Sequence, residues 1–226
     1  MPEPGEREAT LRGDQGRAVT VTGTTTGVVT PRPTRAGIVR TWARSLTAVL
    51  RRRPVPAGLR HSAGVKQLVL VLTATEIVVA ALLSSMLPAV ARPLHTAFEM
   101  AVVLAWLGLV AALARHPHQV DEDVVVLRTG FLGHVTLPRA AVRGATPVVR
   151  TVPGRGPRPV PDEPVAVACS VGGSLNVAIR LDPPVRLDLG LTGPVDAATV
   201  YGCVDDLPAL AAALRRTAPG PSRHGD

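Results

Sequence analysis

Two apolar runs dominate the pattern along the chain. Leu68–Leu87 and Leu94–Ala114 are near-continuous stretches of Leu, Val, Ala and Ile. Each is long enough to cross a hydrocarbon core of about 30 Å at ~1.5 Å per residue. Between them "PAVARP" supplies a short turn with Pro88 and Pro93. The pattern therefore predicts a two-helix transmembrane hairpin over 65–115, with spans at about 68–87 and 94–114. Just before it, "AGIVRTWARSLTAVLRRR" puts Ile38, Trp42, Leu46 and Val49 or Leu50 at helical spacing, with Arg40, Arg44 and Arg51 on another face. This predicts a basic amphipathic juxtamembrane helix over 36–56. Such a helix either lies in the headgroup region with Trp42 at the interface or docks on the protein itself. Residues 1–35, with "TVTGTTTGVVTPRPT", carry no hydrophobic period and are expected to be a disordered tail. No apolar stretch follows the first residues, so they do not read as a signal peptide.

After Arg115 the rhythm changes to alternation and turns. "DVVVLRTGFLGHVTLP" predicts two strands joined at Thr129-Gly130, and "AAVRGATPVVR" a third. "VPGRGPRPVPDEP" is a Pro/Gly loop. "VAVACS" and "LNVAIRL" flank "VGGS", which reads as a hairpin. "PVRLDLGL" and "ATVYGCV" continue the strand pattern. "DDLPALAAALRR" then starts a helix, with Asp205 or Asp206 as its cap, Pro208 in its first turn and Arg215 and Arg216 at its C-terminal end. About seven antiparallel strands and a C-terminal helix make the inventory of a small mainly-β barrel over 116–217, one end plugged by the helix. Residues 218–226 read as a second disordered tail.

Charge sharpens the orientation. Of the 226 residues, Met1–Lys66 hold twelve Arg/Lys against four Asp/Glu, a surplus of +8; Arg115–Asp226 hold twelve against eleven, a surplus of +1. The basic excess thus sits before the first span, where Arg51, Arg52 and Arg53 are candidate contacts for anionic headgroups. Arg60 and Lys66 precede the first span as well, Arg115 follows the second, and only Arg92 lies in the turn. The positive-inside rule then places both termini in the cytoplasm, in a multi-pass protein of the inner membrane. Aromatics make up only 2% of the chain and no basic stripe interleaved with them is visible, which argues against nucleic-acid binding.

Chemistry-bearing residues are few. Glu76 lies about 12 Å below the cytoplasmic edge of its span. A charge at mid-membrane costs roughly 2.5–3.5 kcal/mol, so protonation is its expected relief. Matching depth across the hairpin falls on Trp106, whose indole N–H seeks an acceptor, and the pair is a candidate polar clasp. Contact with a third membrane protein and a proton or substrate relay are the other readings of Glu76. Ala101, Ala105, Gly108 and Ala112 form a small-residue stripe suited to close packing against the first helix, on which Thr73, Glu76, Ala80 and Ser84 share a face. Glu99, near the outer end of its span, is expected to reach water. His116 and His118 form an H-x-H pair without further ligands nearby, so no metal is expected. Arg150, Arg155 and Arg158 fall in or beside the Pro/Gly loop, where a solvated loop is the expectation and a phosphate or headgroup contact the rival. Ser170, Ser174, Asp182 and Asp188 match no nucleophile motif, and there is no phosphate-binding loop or dinucleotide fingerprint. Cys169 and Cys203 fit no metal spacing and read as buried thiols.

"PHQVDEDVVVLRTGFLGHVTLPRAAVRGA" resembles the opening of bacterial PH-like domains: an acidic turn, a strand, a Gly turn, a second strand, then a Pro leading to a third. "VYGCVDDLPALAAALRR" is similar to their closing strand and capping helix. The chain from about Ala57 to Arg216 also resembles two-span integral membrane proteins of actinobacteria, with a Glu in the first span and an "RHPH" junction, here Arg115 to His118. Twenty-four Arg against one Lys fit that GC-rich origin. The resemblance implies a PH-like fold used for interaction, with no catalytic residues and no cofactor. The expected function is a membrane-anchored, non-enzymatic interaction module at the cytoplasmic face. The expected partners are the bilayer and a protein, and a homo-oligomer stays open. The alternative is an accessory subunit that contacts a membrane enzyme or transporter through the hairpin.

Overall fold

The structure, a computed structural model, describes residues 20–21, 24–30, 34–130 and 132–217. Its first half is helical. Helix α1 (Arg35–Leu50) starts where the Thr34 hydroxyl accepts from the Gly37 amide at 3.3 Å. It stops before Pro54, which disfavours helical geometry in the residue preceding it. Helices α2 (Ala63–Met86) and α3 (Arg92–Ala114) are 24 and 23 residues long and apolar enough to cross a membrane. Pro93 sits in the first turn of α3, where its missing N–H costs nothing.

The second half is mainly β. A four-stranded sheet runs in the order β3 (Val28–Thr30), β6 (His134–Pro138), β5 (Val124–Arg128), β4 (Gln119–Val120). A seven-stranded sheet follows β1 (Thr20–Val21), β2 (Thr24–Thr26), β10 (Ser174–Asp188), β11 (Pro194–Gly202), β9 (Glu163–Ser170), β8 (Gly156–Val160), with β7 (Val142–Thr151) also on β10. The expected turn at Thr129-Gly130 does join an antiparallel pair, β5 with β6. One core lies between the sheets. Val125, Leu127, Val135 and Leu137 enter it from the smaller sheet, and Val167, Val177, Ile179, Leu187 and Val200 from the larger. Burial alternates along β5 and β10, as a two-residue side-chain period requires. Helix α4 (Leu207–Arg216) adds Leu210 and Leu214 to this core. The Asp206 carboxylate caps it by accepting from the Ala209 amide at 2.8 Å.

Two expectations need correction. First, β9 and β10 follow each other in sequence but do not form the hairpin read from "VGGS". β11 lies between them, antiparallel to β10 and parallel to β9, so the strands are not all antiparallel. Local turn chemistry could not anticipate a strand inserted from thirty residues downstream. Second, part of the stretch read as a disordered tail is in strands β1 to β3. The rest of that tail before Thr34, like 218–226, lies outside the described residues. The ladder explains the strands. Pairing of β10 with β7 ends at Leu181, opposite Val142, and Pro183 and Pro184 just beyond have no N–H to donate, so the ladder on that edge breaks there. Beyond the break, β2 pairs with Val185 and Arg186, while β3 pairs with β6 in the other sheet. Gly27, between them, crosses from one sheet to the other. A Cβ there would stand 2.6 Å from Leu187 and 2.8 Å from the Thr136 carbonyl oxygen. Backbone hydrogen bonding and one glycine place this segment, and neither leaves a hydrophobic period to read.

Helix α1 packs across α3. The Trp42 indole covers Gly108 and donates from Nε1 to the Ala105 carbonyl at 3.0 Å. Trp42 therefore sits on the protein's own helix, one of the two placements the amphipathic pattern left open.

Candidate functional site

Within the hairpin, α2 turns one stripe inward. Val69 and Thr73 are buried and Glu76, Ala80 and Ser84 half-buried, while the residues between them are exposed. Thr73 satisfies its hydroxyl by donating to the Val69 carbonyl at 2.7 Å. On α3, His95 Nε2 lies 3.4 Å from the Ala80 carbonyl oxygen, which fixes the face turned to α2. Helical periodicity continues that face through Glu99, Val102 and Trp106. Glu76 and Trp106 thus occupy the facing stripes, but no hydrogen bond joins them among the described residues. The small-residue stripe takes a different role from the one expected. Ala105 and Gly108 receive Trp42 of α1, Ala112 is buried, and Ala101 is exposed. Glu99 does not simply reach water. Its Oε1 lies 3.7 Å from His95 Nδ1, its side chain is 16% exposed, and its buried Oε2 has no hydrogen-bond partner among the described residues.

Where the hairpin meets the β domain, the two are bolted together. Leu113 at the end of α3 is buried against Gly130, whose φ of +60° and missing Cβ make room for it. Leu59 and His118 exchange backbone hydrogen bonds at 2.9 Å. His118 is fully used. Its Nδ1 accepts from the Arg128 amide at 2.8 Å, so Nε2 carries the proton and donates to the Cys203 carbonyl at 2.9 Å. The His61 ring stacks on it with centroids 4.5 Å apart, and both His61 nitrogens are buried with no partner among the described residues. Burial first, then the neighbouring His118 and Lys66, pushes the His61 pKa down to about 3, and burial lowers that of His118 as well. Both rings are therefore neutral at physiological pH. His116 instead pairs its Nδ1 with the Ala112 carbonyl at 2.7 Å. The H-x-H pair is thus split between two hydrogen-bonding duties. No group of three His, Cys, Asp or Glu able to hold a metal occurs among the described residues.

The Asp205 carboxylate completes this joint. Ser62 precedes α2 in a left-handed conformation, φ 63°, and its side chain makes no cap. Asp205 supplies the cap from the β domain, accepting from the Ala63 amide at 2.8 Å and pairing with Lys66 at 3.5 Å. An anion at a helix N-terminus is favoured by the helix dipole.

The outer face of the seven-stranded sheet carries the remaining polar cluster. Arg150 donates to Glu163 at 2.6 Å and to the Tyr201 hydroxyl at 3.0 Å, and Tyr201 donates to the same carboxylate at 2.9 Å. The guanidinium also lies 4.8 Å from the Tyr201 ring centroid. Beside this cluster runs an open cavity of about 660 Å³, lined among others by Arg143, Arg180 and Thr199. Arg158, expected in a solvated loop, is instead consumed internally. It donates to the carbonyls of Val152, Pro153 and Gly156 and holds the Pro/Gly loop in shape. Arg51, Arg52 and Arg53 are exposed.

Sequence reading missed His61, the crossed cap by Asp205 and the Arg150–Glu163–Tyr201 cluster. The partners lie 57, 142 and up to 51 positions apart, so no local spacing signals them. Gly108 was visible as a small residue, but not that Trp42 fills the space above it. No protein-family model, curated protein or solved structure matches the chain.

Proposed function

We propose that this protein is a membrane-anchored, non-enzymatic interaction module in which the helical hairpin holds a PH-like domain at the cytoplasmic face. The observation that carries this reading is the joint. Leu113 on Gly130, the Leu59–His118 pairing and Asp205 on the α2 N-terminus tie the β domain to the apolar helices at three points. On the outer sheet face the Arg150–Glu163–Tyr201 cluster makes no hydrogen bond to the helices among the described residues. Two sheets around one core with a C-terminal helix packed on it support the PH-like assignment, although the sheets do not join into a closed barrel among the described residues and β9 and β11 run parallel. The arginine excess before α2 supports cytoplasmic termini and an inner-membrane location. The resemblance to actinobacterial two-span proteins belongs to the same reading.

Exchange of residues 65–115 for an unrelated two-span anchor tests it. Retention of partner capture supports a module whose work is done by the β domain. Loss of capture with the β domain still folded favours the second reading, an accessory subunit that binds through the hairpin. The unpartnered Glu99 Oε2 favours that second reading, because a donor on a partner helix would satisfy it. Orientation is tested separately. A cysteine replacing Ala91 should react with an impermeant thiol reagent in intact cells, and one in the C-terminal tail should not.

A further inference from the structure

The basic face of α1 does more than lie near a membrane. Between α1 and the end of α3 opens a cleft of about 250 Å³ lined by Thr41, Arg44, Ser45, Arg115 and His116. Its lining holds two guanidinium groups and, among the described residues, no carboxylate. None of the α1 arginines lies within 4 Å of a carboxylate among the described residues, so the positive charge there is uncompensated. Arg115 is held in place rather than loose. It donates to the Arg53 and Pro54 carbonyls at 3.1 and 3.2 Å, which leaves further N–H groups on the same fork. Thr41 and Ser45 stand one turn apart on α1, with Arg44 between them. Ser45, only 5% exposed, lines the cleft beside them. The seating of Trp42 on Gly108 pins α1 so that these groups converge.

We propose that this cleft binds the phosphate of an anionic phospholipid. A guanidinium fork and hydroxyl donors with no competing acid are the chemistry that recognises a phosphate. The setting selects a lipid over a free anion. The cleft lies at the end of an apolar 23-residue helix, and the exposed Val39, Val49 and Leu50 of α1 alternate with its arginines. Apolar and basic side chains side by side suit the boundary between headgroups and acyl chains. The proposal rests on the reading of α2 and α3 as membrane spans.

The test uses the full-length protein in detergent micelles. Lipid binding is counted by native mass spectrometry against phosphatidylglycerol, phosphatidylcholine and inorganic phosphate. Phosphatidylglycerol is expected to bind and phosphatidylcholine not. Arg44→Gln should weaken phosphatidylglycerol binding about fivefold, the effect of removing one arginine from an anionic surface. Arg40→Gln removes the same charge from the same helix outside the cleft and should change binding less than twofold. Ser45→Val should weaken binding while keeping the charge. Equal losses in the Arg44 and Arg40 variants would mean diffuse attraction and overturn the site. Equal binding of phosphatidylcholine would overturn it as well. Competition by inorganic phosphate that depends on Arg44 would overturn the lipid and leave a phosphate site. Extraction of the protein from vesicles by alkaline carbonate would remove the membrane reading itself, a separate failure.

Discussion

Asp205→Ala tests the joint most directly. Among the described residues the Asp205 carboxylate is the only side-chain cap on α2, because Ser62 sits in a left-handed conformation and makes no cap. Removing an N-cap acceptor costs about 1 kcal/mol, within a range of roughly 0.5–2. Loss of the charge from the helix N-terminus adds about 0.3–1 kcal/mol, and the half-screened pair with Lys66 no more than that. These terms overlap, so the expected total is about 1–2 kcal/mol. Asp205→Asn keeps an acceptor oxygen and should lose roughly half as much, since only the charge term goes. The assay is chemical unfolding of the full-length protein in detergent, with amide hydrogen exchange read over residues 59–66. Asp206→Ala is the matched control. Asp206 caps α4, so its loss should cost a similar amount while leaving exchange at 59–66 unchanged. An Asp205→Ala protein as stable as the parent, with exchange at 59–66 unaltered, would refute the account of the joint.

Acid should loosen the same region. His61 is neutral when folded, with its pKa pushed down to about 3, and takes up a proton when unfolded near pH 6.5. The unfolded state therefore binds more protons between those values. Stability is fully present above pH 6.5 and falls as pH drops toward 3, by up to about 1.4 kcal/mol per pH unit from this group. His61→Phe should flatten that slope, leaving the share due to His118, and an unchanged slope would remove His61 from the argument. Gly108→Val should expel Trp42 from α3, seen as a shift in Trp42 fluorescence in a Trp106→Phe background; an unchanged emission would mean that the indole is not seated there. Cys169 is fully buried, and burial pushes its thiol pKa up to about 12. At pH 8 its thiolate fraction is about one in ten thousand, so a thiol reagent should leave it unmodified until the protein unfolds. Glu76→Gln should preserve abundance and activity if Glu76 serves packing, whereas a stable but inactive protein would indicate a relay.

What the sequence determined by itself is what depends on local pattern. The two long apolar helices, the amphipathic α1, the β5–β6 turn and the capped α4 follow from hydrophobic period, Pro placement and capping residues within a few positions of one another. The inward stripe Thr73–Glu76–Ala80–Ser84 was legible for the same reason, since helical spacing alone groups those residues. Only the tertiary structure decided which faces meet. The small residues of α3 could have received α2, and they received Trp42 because α1 docks there. Asp205 and Asp206 are chemically alike and adjacent, yet one caps α4 and the other caps α2 from 142 residues away. Strands β2 and β3 owe their places to two separate ladder edges, the edge of β10 beyond the end of its pairing with β7 and the edge of β6. The neutrality of His61 comes from burial under a ring 57 positions distant. Contacts of this range cost loop entropy that a sequence pattern does not record, and the packing that repays it exists only once the chain has folded.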